Sequence, residues 1–248
     1  MSDHHGKCRL CEAIGPLCRS HIVPELAYAP IKNDKGQVYS VGQTVKKIQT
    51  GYFERLLCQR CEQLFSGWES QFKKVWMDTI PPSFGHLNTR PHKDMLEVAI
   101  DNYTLFKLFH LSILWRAALS SNFKLDRNIS LGRYDRQIAR MLLAGDPGQP
   151  GDFPFFASLN LDDQKAPVPV VAPLAQGIGR FEGHRYYLMT YAYCDWIFII
   201  ANPGTPWMAR IESHFRSTNT FLLASTPNAQ SKGFNLWADI FSKLRTKW

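Results

Sequence analysis

Two cysteine pairs, Cys8/Cys11 and Cys58/Cys61, each spaced as CxxC, carry the most definite chemistry in this sequence. A CxxC turn aims both sulfurs at one point, and four thiolates in a tetrahedral set satisfy a zinc ion without leaving an open position. The second pair stands at the start of a helical pattern, whose amide dipoles favour thiolate charge. Two unrelated thiol pairs are the alternative, but both pairs flank one short strand-and-helix segment, which favours a structural zinc site. A closed four-cysteine site does no hydrolysis, so any chemistry must come from other residues. His21, in the stretch "LCRSHIVPEL" between the pairs, is the first candidate, as a general base or as a buried structural histidine. Cys18 and Cys194 are left over. Both read as buried inert thiols, with Cys18 near enough to the first pair to be a substitute ligand.

The elements that must position these residues can be read in outline. "RSHIVPEL" predicts a strand that Pro24 closes or places at a sheet edge, and "NDKGQ" predicts a turn leading into a second strand, "VYSVG". In "CQRCEQLFSGWESQFKKVW", Leu64, Phe65, Trp68, Phe72 and Trp76 recur at three- and four-residue steps, predicting a helix that begins near Cys61. A Pro-rich stretch from about residue 80 to 93 marks a boundary, giving a zinc-stapled ββα domain over 1–80 and an α+β domain over 81–248. The second domain is expected to be helical over 93–145, strand-rich over 167–225 and closed by an amphipathic helix over 233–246. Its first helix should run from about Lys93 to Ser120, with a break near Asn102 and apolar residues on more than one face, as in a core helix. A second helix, "RYDRQIARMLLA", should end at Gly145. The strands "VPVVAPL", "RFEGHRYYLMTYAY", "WIFIIANPG" and "FLLAST" should form an antiparallel sheet, with a hairpin turning around Cys194 and Asp195. The fold class is therefore α+β.

With 248 residues and 45% hydrophobic composition, the chain can bury a large core. No run reaches the roughly 18 uncharged apolar residues of a membrane span; "LFKLFHLSILW" carries Lys107 and His110. "MSDHHGKCRL" lacks the apolar core of a secretory signal, so a cytoplasmic location is expected and a disulfide framework is not. The formal net charge of +8 suits a polyanionic partner. The positive charge is spread along the chain, not gathered in a basic tail.

The order CxxC, "SHIVP", "NDKG", "LLCQRCE" resembles the HNH (ββα-metal) nuclease family in its treble-clef, zinc-stapled form, over about residues 8–77. The resemblance implies hydrolysis of nucleic-acid phosphodiester bonds, DNA foremost, in a setting such as phage defence or a mobile element. It implies that His21 is the base that activates water and that a helix side chain holds a catalytic divalent ion, Mg or Mn. Glu62 stands where the family usually has its last histidine. The match departs at three places: Ser20 precedes the base where an Asp or His is frequent, Phe53 falls where an asparagine is usual, and Glu62 replaces the final histidine.

Carboxylates are good ligands for Mg or Mn, so Glu62 and Glu69 form a possible hard-cation pair, with Ser66 between them on the same helix face. Seven residues is two turns, which separates the two carboxylates by about 10 Å of axial rise. Each has a plainer role: Glu62 as an outer contact of the zinc site, Glu69 as a solvated helix residue. Glu25 and Glu54 are further candidate carboxylates, and His4 and His5 belong to an N-terminal tail. Trp115 reads as core, while Arg116 and the group Lys124, Arg127, Arg133, Arg136 and Arg140 are candidates for phosphate contact. The second domain could bind substrate, a protein partner or a second copy of the chain. The rival to a nuclease is a non-catalytic zinc-finger module that binds nucleic acid or protein and carries a degenerate HNH site.

Overall fold

The computed structural model describes residues 4–41, 45–78, 90–92, 95–121, 129–149, 151–162, 166–169, 179–181, 184–200 and 219–227. It is a mixed helix-and-sheet structure with the cysteine cluster near its N-terminus. The terminal helix expected over 233–246, the boundary at 80/81, and Lys124 and Arg127 lie outside the described residues.

The N-terminal part is built from very short strands. β1 (His5–Lys7) and β2 (Ile14–Pro16) form an antiparallel pair with Cys8 and Cys11 in the connection, so His5 belongs to a strand and not to a tail. β3 (Arg19–His21) pairs antiparallel with β6 (Phe53–Arg55), placing Ser20 opposite Glu54 and His21 opposite Phe53. Between them run a one-turn helix, α1 (Glu25–Tyr28), and a separate hairpin of β4 (Val38–Val41) with β5 (Val45–Ile48). "VYSVG" thus forms a strand as its composition predicts, but it pairs with β5, and the partner of the His21 strand comes from Phe53–Arg55. Pro24 begins α1 and is not a strand edge, because His21 already ends the ladder. The Asx turn at Asn33, whose Oδ1 accepts from the amides of Lys35 and Gln37, supplies the expected reversal.

α2 (Gln59–Phe72) starts at the second cysteine pair and buries Cys61, Phe65, Trp68 and Phe72 along one stripe, continuing as a π-helical turn over Lys73–Met77. α3 (Tyr103–Leu119) is capped by Asn102, whose Oδ1 accepts from Leu105 N at 3.0 Å. Every residue from Phe106 to Ala117 is buried, as its all-round apolar character predicts. The helix does not reach back to Lys93: Met95–Ala99 is a strand, β8, because its backbone pairs with β13 (Thr220–Pro227), far away in sequence. α4 (Asp135–Ala144) ends where Gly145 takes φ +66°, with the amides of Gly145 and Asp146 closing onto Leu142 and Met141.

With β7 (Arg90–His92), β9 (Phe155–Leu161), β10 (Gly179–Phe181), β11 (His184–Tyr191) and β12 (Cys194–Ile200), β8 and β13 form a seven-stranded sheet in the order β10-β11-β12-β9-β13-β8-β7. It is not wholly antiparallel as expected, since β13 runs parallel to β9. Of "VPVVAPL" only Val168 and Pro169 are described, and there the Val168 amide donates to Asn160 O at 2.8 Å; the rest of that expected strand lies outside the described residues. The β11–β12 hairpin turns two residues earlier than the sequence suggests, at Ala192 (φ 49°) and Tyr193 (φ 68°). Two left-handed residues are the signature of a tight hairpin turn, usually written with Asn and Gly. Here outside donors hold the conformation: Trp196 Nε1 donates to Tyr191 O, Trp76 Nε1 to Ala192 O, and Asn160 N to Tyr193 O.

One aromatic cluster joins α2, α3 and the sheet. Phe72 stacks on Phe109 at 3.9 Å, and His110 on the next position of α3 packs against Trp196 of β12 at 3.9 Å. Trp76, Phe106, Phe155 and Phe221 complete the cluster. Among the described residues no helix is long and apolar enough to cross a membrane.

His110 is wholly buried, with Nδ1 2.7 Å from the Tyr191 hydroxyl, and burial holds its pKa well below the ordinary 6.5. A histidine kept neutral in the fold takes up a proton on unfolding, so its contribution to stability is present above pH 6.5 and lost as pH falls below it. Denaturant midpoints are expected to drop from neutral pH toward about pH 5, while the His110 ring signals in nuclear magnetic resonance stay those of neutral imidazole at pH 6.5.

Candidate functional site

The four cysteines converge. The Sγ atoms of Cys8, Cys11, Cys58 and Cys61 all lie within 4.8 Å of one another, and Cys11 and Cys58 are 3.6 Å apart. A tetrahedral ion with bonds of about 2.3 Å holds its sulfurs roughly 3.8 Å apart, so the donor set and its spacing fit zinc. Cys8 and Cys61 are buried, and the Cys58 amide donates to Cys8 Sγ at 3.4 Å. Burial works against ionisation of Cys8, but amides around Cys11, Cys58 and Leu10 outweigh it and bring its pKa down to about 7. Burial and the neighbouring thiols push Cys61 up instead. Four adjacent thiolates need a bound dication to ionise together.

Backbone hydrogen bonds attach the first cysteine pair to the strand leading into α2. Arg9 N donates to Leu56 O, and Cys18 N donates to Leu57 O. Cys18 Sγ donates to Gln59 Oε1 at 3.2 Å and is not one of the four clustered sulfurs. Cys194 is fully buried in β12, as an inert thiol should be.

His21 ends β3 with its imidazole half-buried. Its Nε2 lies 3.5 Å from Glu25 Oε2 without a hydrogen bond of normal geometry, and its ring meets Phe53 edge-on. Burial lowers its pKa below the ordinary value, against the opposing pull of Glu25 and Glu69. α1 sets the distance to Glu25, whose carboxylate is also held by Lys32 and the Gly51 amide. Gly51 is required there, since a Cβ would fall 2.3 Å from the Tyr28 ring. Glu25, a minor candidate on sequence grounds, is therefore the carboxylate nearest His21.

Glu62 lies in the first turn of α2, half-buried, with Oε1 lacking a hydrogen-bond partner of normal geometry. Burial raises its pKa, while the Ser20 hydroxyl and Arg116 act the other way. Ser20 is fully buried and its Oγ likewise makes no hydrogen bond of normal geometry. Glu69 is not a solvated helix residue: its Oε1 accepts from both Nη1 and Nη2 of Arg116 at 3.1 Å. Ser66 is exposed on the helix, and Glu54 accepts a hydrogen bond from the Ser120 hydroxyl.

Arg116 is the residue whose role sequence reasoning missed. It is 1% exposed and is no phosphate ligand; besides Glu69 it donates to His21 O at 2.6 Å and to Ser112 O at 3.3 Å. One guanidinium thus ties α3 to α2 and to the end of the histidine strand. The available signal was an arginine near the end of a mostly apolar core helix, which demands a buried acidic partner from elsewhere. Trp115 beside it is core, as expected, and packs edge-on against Phe65.

The chain matches no family model, no curated protein and no solved structure.

Two outcomes follow from this geometry. Mass spectrometry of the metal content should find one zinc per chain, lost in Cys58→Ser or Cys61→Ser together with resistance of the N-terminal part to proteolysis, but retained in Cys18→Ser. Arg116→Met should destabilise the fold by about 3–5 kcal/mol in chemical denaturation, because the Glu69 charge and the His21 carbonyl lose their partner.

Proposed function

We propose that this chain is a metal-dependent endonuclease of HNH type, hydrolysing nucleic-acid phosphodiester bonds, with DNA the expected substrate. The observation that carries the reading is the place of His21: a histidine at the end of a strand whose partner strand leads through the cysteine cluster into α2. The order of a cysteine-bearing turn, the β3–β6 pair and a helix starting at the second CxxC supports a treble-clef ββα unit.

In this reading His21 accepts a proton from water. Its neutral form is the competent one, and burial keeps it neutral at physiological pH. Glu25 orients the ring from 3.5 Å. Zinc on Cys8, Cys11, Cys58 and Cys61 is structural. Glu62 Oε1, a buried carboxylate oxygen without a hydrogen bond of normal geometry, fits an oxygen-liganded cation such as Mg or Mn. Such an ion supplies charge neutralisation at the phosphate. Glu69 is engaged through Oε1 by Arg116.

The engagement of Glu69 by Arg116 favours a second reading, a non-catalytic zinc-finger module that binds nucleic acid or protein. Incubation of plasmid DNA with Mg or Mn separates the two. Nicking that falls by about 10²–10⁴-fold in His21→Ala, with zinc content and fold retained, is the expected result; equal cleavage by that variant overturns the role of His21, and none by the wild type goes against the enzyme. Because the His21 pKa lies below 6.5, the rate should be flat above that pH and decline only on further acidification.

A further inference from the structure

The turn carrying Cys8 and Cys11 forms one wall of a groove of about 660 Å³ whose other wall is α4. Lys7, Arg9 and Glu12 stand on the first wall, and Arg136, Arg140 and Leu143 on the second. Neither the histidine nor the Glu62 carboxylate lines it. Lys7 is matched to Glu12 at 2.9 Å. Arg9, Arg136 and Arg140 are exposed, and no acidic partner holds any of them among the described residues. Asp135 is the second acid of the groove; it sits in the first turn of α4, where the helix dipole favours it.

The spacing and chemistry fit a phosphodiester backbone. Arg136 and Arg140 are one turn apart on α4, about 6 Å along the axis, a spacing that suits successive phosphates of one strand, whose through-space separation exceeds the axial rise of about 3.4 Å. Guanidinium forks pair with phosphate oxygens bidentately, and the 43% exposed Leu143 with Leu119 and Ala139 offers apolar surface to a sugar. The volume holds a short piece of one backbone, not a duplex. We propose that this groove grips the phosphodiester backbone of one strand of a nucleic acid, with Arg9, Arg136 and Arg140 contacting neighbouring phosphates. The proposal rests on the reading of a nucleic-acid substrate above. It adds that an element outside the cysteine-bearing unit, α4, supplies much of the grip.

The test is binding of a short fluorescein-labelled DNA duplex and of a single-stranded RNA to the zinc-loaded full-length chain, followed by anisotropy over a range of salt concentrations without Mg or Mn. The double variant Arg136→Ala with Arg140→Ala should bind roughly tenfold more weakly, and its plot of log affinity against log salt should be shallower by about two, one unit for each cation removed. The conservative double variant, Arg136→Lys with Arg140→Lys, should restore the slope, which a merely structural role would not require. Unchanged affinity and slope in the double alanine variant overturn the groove, even if His21-dependent cleavage upholds the nuclease. Arginine-dependent binding by a wild-type chain that never cleaves keeps the groove and removes the enzyme. Poly-L-glutamate binding as tightly as the duplex reassigns the groove to an acidic polypeptide and overturns the proposal, and preference between DNA and RNA identifies the source of the phosphates.

Discussion

The convergence of four cysteines is the constraint on which the N-terminal architecture depends. β1, β2, β3 and β6 have three residues each, too few to hold a sheet by pairing alone. What keeps them together is the meeting of the two CxxC pairs, reinforced by the Arg9 and Cys18 amides on Leu56 and Leu57. Once those points are joined, the β3–β6 ladder places His21 at one end of a rigid frame and α2 leaves from the other. A bound zinc ion would convert this arrangement from a set of mutually repelling thiolates into a closed tetrahedron.

The second constraint is the Arg116 guanidinium. A buried charge is costly unless all its donors are satisfied, and here Glu69, the His21 carbonyl and Ser112 satisfy them from two helices and a strand. The consequence reaches the site: the backbone of the candidate base is held from α3, an element outside the cysteine-bearing unit. Phe72, Phe109, His110 and Trp196 extend the same connection through aromatic packing to the central sheet. The histidine is therefore positioned by the whole body of the protein as well as by its own hairpin.

The remaining electrostatics separate two surfaces. Around His21, the carboxylates of Glu25 and Glu69 meet a single buried arginine, Arg116, which also acts on Glu62. Beside the cysteine turn, the exposed guanidiniums of Arg9, Arg136 and Arg140 dominate.

Much was legible from local pattern. The CxxC pairs announced their cluster because two sulfurs three residues apart share one turn. α2 and α4 were readable from their apolar periodicity, and the all-round apolar α3 from its composition. Tertiary structure decided what depends on residues distant in the chain. Met95–Ala99 became a strand because β13 was there to pair with it, and Ala192–Tyr193 became a tight turn because three donors from elsewhere fastened its carbonyls. Glu25 came to lie beside His21 because α1 follows the strand directly, and Glu69 was paired with an arginine 47 positions later. Local sequence determines which side chains can do chemistry; long-range pairing and the satisfaction of buried charge determine which of them meet.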